Sequence, residues 1–207
     1  MNRALIISIA AGLIVFGMAT RLLPHAPNAT ALTAIALVSS LYLGNRFLSF
    51  IIPAIALVIS DALIGFYDWK IMTSVYISFA LGWALVSLCK KKNGFGGVGI
   101  SLASSSILFF LITNGAVWLF SPWYEKSIGG LLYAYELGLP FLRNMFVGDF
   151  VYTWGLIAVF EAVLVLRTRA EITYPSRLHI SRYFHVLQSQ IFHRSPATPQ
   201  DLFNQNM

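Results

Sequence analysis

Apolar residues in this chain gather into long runs, and short polar clusters separate one run from the next. A run of about 18 or more spans the ~30 Å hydrocarbon core of a bilayer as a helix. The pattern predicts six transmembrane helices in an all-α, polytopic membrane protein. The first covers 4–20 and ends in the polar stretch Arg21 to Asn28, which holds Pro24 and Pro27. The second, 29–43, is short, with Asn28 placed to cap its first turn and Gly44-Asn45-Arg46 to break it. The third covers 48–67 and tolerates Pro53 near its start. Asp68-Trp69-Lys70 turns the chain into the fourth, 71–88. After Lys90-Lys91-Lys92 and a glycine-rich stretch (94–99) comes the fifth, 100–120. The loop 121–143 carries an apolar piece, 128–139, too short to cross and suited to the interface, and 144–166 is the sixth span.

Composition supports the same reading. Hydrophobic residues are 57% of the chain and Asp, Glu, Lys and Arg together 11%. Soluble domains carry about a quarter charged residues, so these are too few to cover a surface in water. Charge then sets orientation. An even number of spans puts Arg3, Arg46, Lys90, Lys91, Lys92, Arg167 and Arg169 on one side, against Arg21, Lys70, Lys126 and Arg143 on the other. The positive-inside rule places the first set, and both termini, in the cytoplasm. The net charge of +6 is mostly this topological signal, and no nucleic-acid motif accompanies it. Asn2-Arg3, the first apolar run and Gly17-Met18-Ala19 also fit a cleaved signal peptide, which would leave five spans.

Residues 1–169 therefore read as one transmembrane domain and 170–207 as a cytoplasmic tail. In that tail Ile180, Tyr183, Phe184, Leu187 and Ile191 recur at helical spacing among Arg177, Arg182, His185 and Arg194, a basic amphipathic helix suited to an anionic leaflet. Disorder is expected from Ser195 onward. Cys89 is the lone cysteine, which excludes an internal disulfide, and the tail histidines lack metal-ligand spacing.

Depth within the spans singles out candidate site residues. Asp61, Tyr76, Asn114 and Asp149, from four different helices, each lie roughly 7–9 Å below the outer boundary at 1.5 Å per residue. Arg21, His25, Asn28, Arg143 and Asn144 lie above or at the edge of that layer. A mid-helix aspartate costs up to about 2.5–3.5 kcal/mol on insertion scales, so two at one depth point to a shared polar cavity open to the outside. The alternative is a helix-locking pair, for example Asp61 or Asp149 bonded to Arg143. No HExxH, GxSxG or phosphate-binding loop is present, no nucleophile stands beside the acids, and no motif requires a cofactor, so a non-enzymatic role is expected.

Arg21-Leu-Leu-Pro-His-Ala-Pro-Asn28, Ser60-Asp61-Ala-Leu-Ile-Gly65, Leu111-Ile-Thr-Asn114 with Trp118, and Pro140-Phe-Leu-Arg-Asn144 with Gly148-Asp149 resemble a group of uncharacterised bacterial membrane proteins. That group is related to the substrate-binding S components of energy-coupling factor (ECF) vitamin transporters. The resemblance covers about residues 15–160; it departs after Asn28, where Ala29-Thr30-Ala31 replaces a more usual aromatic-Thr-Pro. It implies a small-molecule cavity at the outer face, covered by the first loop and the loops after the third and fifth helices. It also implies a transmembrane coupling subunit with two ATPases as partner, docking on small residues of the first helix. Ala4, Ser8 and Gly12 recur every four residues there and suit close helix contact, with a partner or within the monomer. The expected function is capture of a small vitamin-like molecule for uptake. The alternatives are a membrane scaffold acting through the basic tail and a self-sufficient secondary transporter.

Overall fold

The computed structural model describes residues 3–88 and 94–173, with side chains described to residue 166 except for that of residue 95. Lys90–Lys92, Cys89 and the expected amphipathic helix and tail beyond residue 173 lie outside the described residues. Six helices follow in order: α1 (Arg3–Leu22), α2 (Leu32–Leu43), α3 (Arg46–Ile64), α4 (Trp69–Ser87), α5 (Gly94–Phe120) and α6 (Ile128–Thr173). Five of them, all but α2, are long and apolar enough to cross a membrane. Met1–Phe160 forms one compact unit and the chain from Glu161 a second, whose described side chains are all exposed.

The second expected span is shorter than its sequence suggests. At 12 residues, α2 is about 18 Å long, well under the bilayer core. Its start is delayed because Asn28 adopts a left-handed backbone (φ 64°) and the Ala29 N–H turns back to the Ala26 carbonyl at 3.0 Å. Asn28 therefore does not cap α2. That position falls to Ala31, whose own N–H donates to the Thr20 hydroxyl at 3.2 Å.

α2 is the centre of the compact unit. Ala31, Ala34, Ile35, Leu37, Val38 and Ser39 are wholly buried. Ala36 and Leu37 pack on Val86 of α4 and Val98 and Leu102 of α5. Ala31 and Ile35 pack on Leu13 of α1 and Ile52 of α3, with Tyr152 and Leu156 of α6 alongside. Leu32 meets Ala56 and Leu57 of α3. A helix apolar on every side is stable because protein encloses it on every side. The surrounding helices instead expose apolar side chains outward, among them Ile7, Val58, Ile77, Ile107 and Val151, as a lipid-facing belt requires. α1 comes close to this core at Gly17, where an added Cβ would lie 3.0 Å from both Ala56 and Ile35.

Two further expectations change. The glycine-rich stretch 94–99 is not a loop but the start of α5, because Val98 and Leu102 bury there against Val86. The apolar piece 128–139 is not a separate interfacial segment, since α6 runs unbroken through Pro140. Pro140 removes one backbone donor, but the turns before it are fastened to α5. The Tyr135 hydroxyl donates to the Leu111 carbonyl at 2.9 Å, and its ring stands 5.5 Å from that of Phe110. The α5–α6 connection is short and tied down. Lys126 donates to the carbonyls of Trp118 and Ser121, and the Trp118 indole donates to the Glu125 carbonyl at 2.9 Å.

Candidate functional site

Because α2 begins beside Ala56 and Leu57, well below the end of α3, the chain between α1 and α2 must descend into the bundle without helical structure. Irregular backbone at membrane depth is tolerated where it is enclosed by protein or lines a water-filled space. Such a space is present. A cavity of about 200 Å³ lies over the start of α2, with Arg21, His25, Asn28 and Thr30 at the descending segment. Its apolar walls include Leu57, Phe79, Trp83, Phe109 and Met145, and Thr33, Ser78 and Ser105 add hydroxyls. The Trp83 indole is held by its bond to the Ser49 hydroxyl at 3.0 Å.

Asp61 lies behind this wall. Its side chain is almost fully buried and forms an ion pair with Arg21, while the Tyr76 hydroxyl donates to its other oxygen at 3.0 Å. One acid from α3 thus fastens the end of α1 and one turn of α4. The Arg21 Nε is buried and has no hydrogen-bond partner among the described residues. Tyr67, in the loop after α3, stands close enough to feel the same pair. Burial, and next the Asp61 charge, push its phenol pKa up, and the Arg21 charge partly offsets them.

Asp149 is held differently. It is wholly buried, accepts from the Ser106 hydroxyl at 2.7 Å and has the Thr33 side chain close by. Thr33 lines the cavity, so Asp149 stands one side chain behind its wall. Neither acid is bonded to Arg143, the partner considered from sequence. That lock fails because the Arg21 guanidinium takes Asp61 and the Ser106 hydroxyl takes Asp149, while Arg143 is exposed on α6.

A sequence model of a family of unknown function, DUF6580, matches residues 2–172. The chain belongs to that family. No curated protein and no solved structure matches it. The DUF6580 match takes in all six helices, both buried acids and every residue lining the cavity. It carries no link to ECF S components.

Within the DUF6580 region the other sequence candidates divide. His25 lines the cavity with its Nδ1–H donating to the Leu23 carbonyl at 2.7 Å. Asn114 does not line it; its amide donates to the Phe110 carbonyl of its own helix at 2.9 Å, close to Gly138 of α6. Arg143 and Asn144 do not line it either. The hydroxyls of Thr30, Thr33, Ser78 and Ser105 and the aromatic walls were not singled out by sequence, because a transmembrane Ser or Phe reads alike on any face of its helix. Among the described residues, no three His, Cys, Asp or Glu side chains gather into a metal-binding group. Ala4, Ser8 and Gly12 lie on an exposed face of α1, and nothing stands within 4 Å of a Cβ added at Gly12.

Proposed function

We propose that this chain is a membrane-embedded capture subunit for a small, vitamin-like molecule, similar in role to an ECF S component and not an enzyme. The cavity between the descending α1–α2 segment and the aromatic wall carries this reading. Ligand sites are concave and mostly apolar, with a few placed polar groups, and about 200 Å³ lies below the ~300–1,000 Å³ typical of drug-sized ligands. The bacterial inner membrane, with the cavity mouth outward and both termini cytoplasmic, fits the distribution of basic residues. Energy for release into the cell would come from a coupling subunit and two ATPases. The open face of Ala4, Ser8 and Gly12 suits such a partner.

Mass spectrometry of the gently purified protein should find a retained small molecule, and filling the cavity with Ser78→Leu should expel it. A protein that retains nothing when purified from its own host would overturn the capture reading. For the partner face, Ser8→Leu and Gly12→Leu should weaken association with the coupling subunit while leaving ligand retention and thermal stability unchanged. If stability falls instead, α1 packs within its own fold on that face.

A further inference from the structure

We infer that the cavity selects a small carboxylate with a flat apolar body, with the carboxylate held by Arg21 and the first turn of α2. This deepens the capture reading and rests on it. Among the described residues, no acidic side chain lines the cavity. The two buried acids stand behind the wall, Asp61 engaged by Arg21 and Tyr76, and Asp149 by Ser106 with Thr33 close by. An ammonium group entering here would meet a guanidinium and no counter-charge.

Donors, by contrast, are available. The Arg21 side chain lines the cavity and is 18% exposed, while its Nε–H is itself buried and has no partner among the described residues. Beside it, α2 opens at Ala31 with no side-chain cap, and Leu32 and Thr33 of its first turn line the same space. Uncapped first-turn N–H groups carry partial positive charge and need acceptors from outside the helix. A carboxylate is acceptor-only and its geometry matches a guanidinium, so it can satisfy both sets at once. His25 adds no fixed donor, because its Nδ1–H is already given to Leu23. The walls select the rest of the ligand. Phe79, Trp83 and Phe109 offer ring faces and edges, and Leu57 and Met145 apolar contact, which suits a planar body about the size of one ring.

Three one-ring probes, the isosteres benzoate and benzamide and the cation benzylamine, test this on the full chain in maltoside detergent, whose headgroup carries no anion. Affinity is read from ligand-dependent thermal stability and calorimetry. Benzoate should bind about tenfold or more tighter than benzamide, the ratio expected for a charge-assisted bond, and benzylamine should not bind. The double variant Arg21→Gln/Asp61→Asn leaves no charge stranded and should erase the preference for benzoate. Adding phosphatidylglycerol should leave benzoate binding intact.

Benzamide or benzylamine binding as tightly as benzoate overturns the carboxylate assignment and leaves capture standing. So does a benzoate preference that survives the double variant. Competition by phosphatidylglycerol would make the occupant a lipid headgroup and overturn it as well. If no probe binds while a retained molecule is found by mass spectrometry, the ligand class is wrong. If neither occurs, the capture reading fails with it.

Discussion

Asp61 on α3 and Asp149 on α6 are both buried, and the chain accommodates them by different means. Asp61 sits in an ion pair with Arg21, supported by Tyr76. Asp149 has one hydroxyl donor, Ser106, with the Thr33 side chain close by, and no cation in that set. The first arrangement joins the end of α1 to α3 and α4 through charge, and its strength depends on both partners being present. The second brings α2, α5 and α6 together around one neutral donor. Burying a carboxyl in a membrane fold therefore has two local solutions here, and they should respond to mutation to different degrees.

The largest effect should come from Arg21→Gln. It leaves Asp61 buried and unpaired, and removing one member of a buried pair costs about 3–5 kcal/mol. Asp61→Asn should cost less, about 2–3 kcal/mol, because the stranded Arg21 side chain is 18% exposed and borders the cavity, whereas that of Asp61 is only 4% exposed. Thermal unfolding of the two variants in detergent checks the order, and equal losses would mean that the cavity gives Arg21 no access to water. Combining them should recover much of the stability. Tyr76→Phe keeps the ion pair and removes one donor, for about 1.5 kcal/mol. Asp149→Asn should be the mildest, below about 1 kcal/mol, since its carbonyl oxygen still accepts from the Ser106 hydroxyl and no cation is stranded. A loss at Asp149 as large as that at Asp61 would erase the distinction between the two arrangements.

Much of this site is legible in the sequence, and the reason is contrast. Asp61, Tyr76 and Asp149 are polar interruptions of apolar runs, which singles them out, although the level counted for them shifts because α3 ends at Ile64 and α6 begins at Ile128. Counting does not fix the rotation of a helix either. Tyr76 turns toward Asp61, whereas Asn114 turns back to its own Phe110 carbonyl and toward α6. Arg21 was placed above the layer, yet its long side chain reaches down to Asp61, so the partner is Arg21 rather than Arg143. Serines were invisible for another reason. Ser78 bonds a carbonyl one turn back, as Ser101 does, and any transmembrane serine does so whether it faces lipid, protein or a cavity. The length of α2 and the continuity of α6 through Pro140 escaped because apolar composition does not report what encloses a helix. Those features follow from the left-handed turn at Asn28 and from the anchoring of Tyr135 on α5.

The brevity of α2 also bears on how the protein is made. A 12-residue helix is a poor candidate for release alone into lipid during synthesis, because its ends would leave peptide groups in hydrocarbon. The turn that follows is tight: Gly44 is left-handed at φ 64°, and the Asn45 side chain accepts from the Phe47 and Leu48 N–H groups. α2 and α3 therefore form a tight helical hairpin of which only α3 is long and apolar enough to cross a membrane. Val86, Val98 and Leu102, and then Tyr152 and Leu156, come from helices later in the chain, so the walls around α2 close only after α4, α5 and α6 arrive. Chains halted after α3 would hold α2 half-wrapped, the state in which membrane quality control has most to recognise.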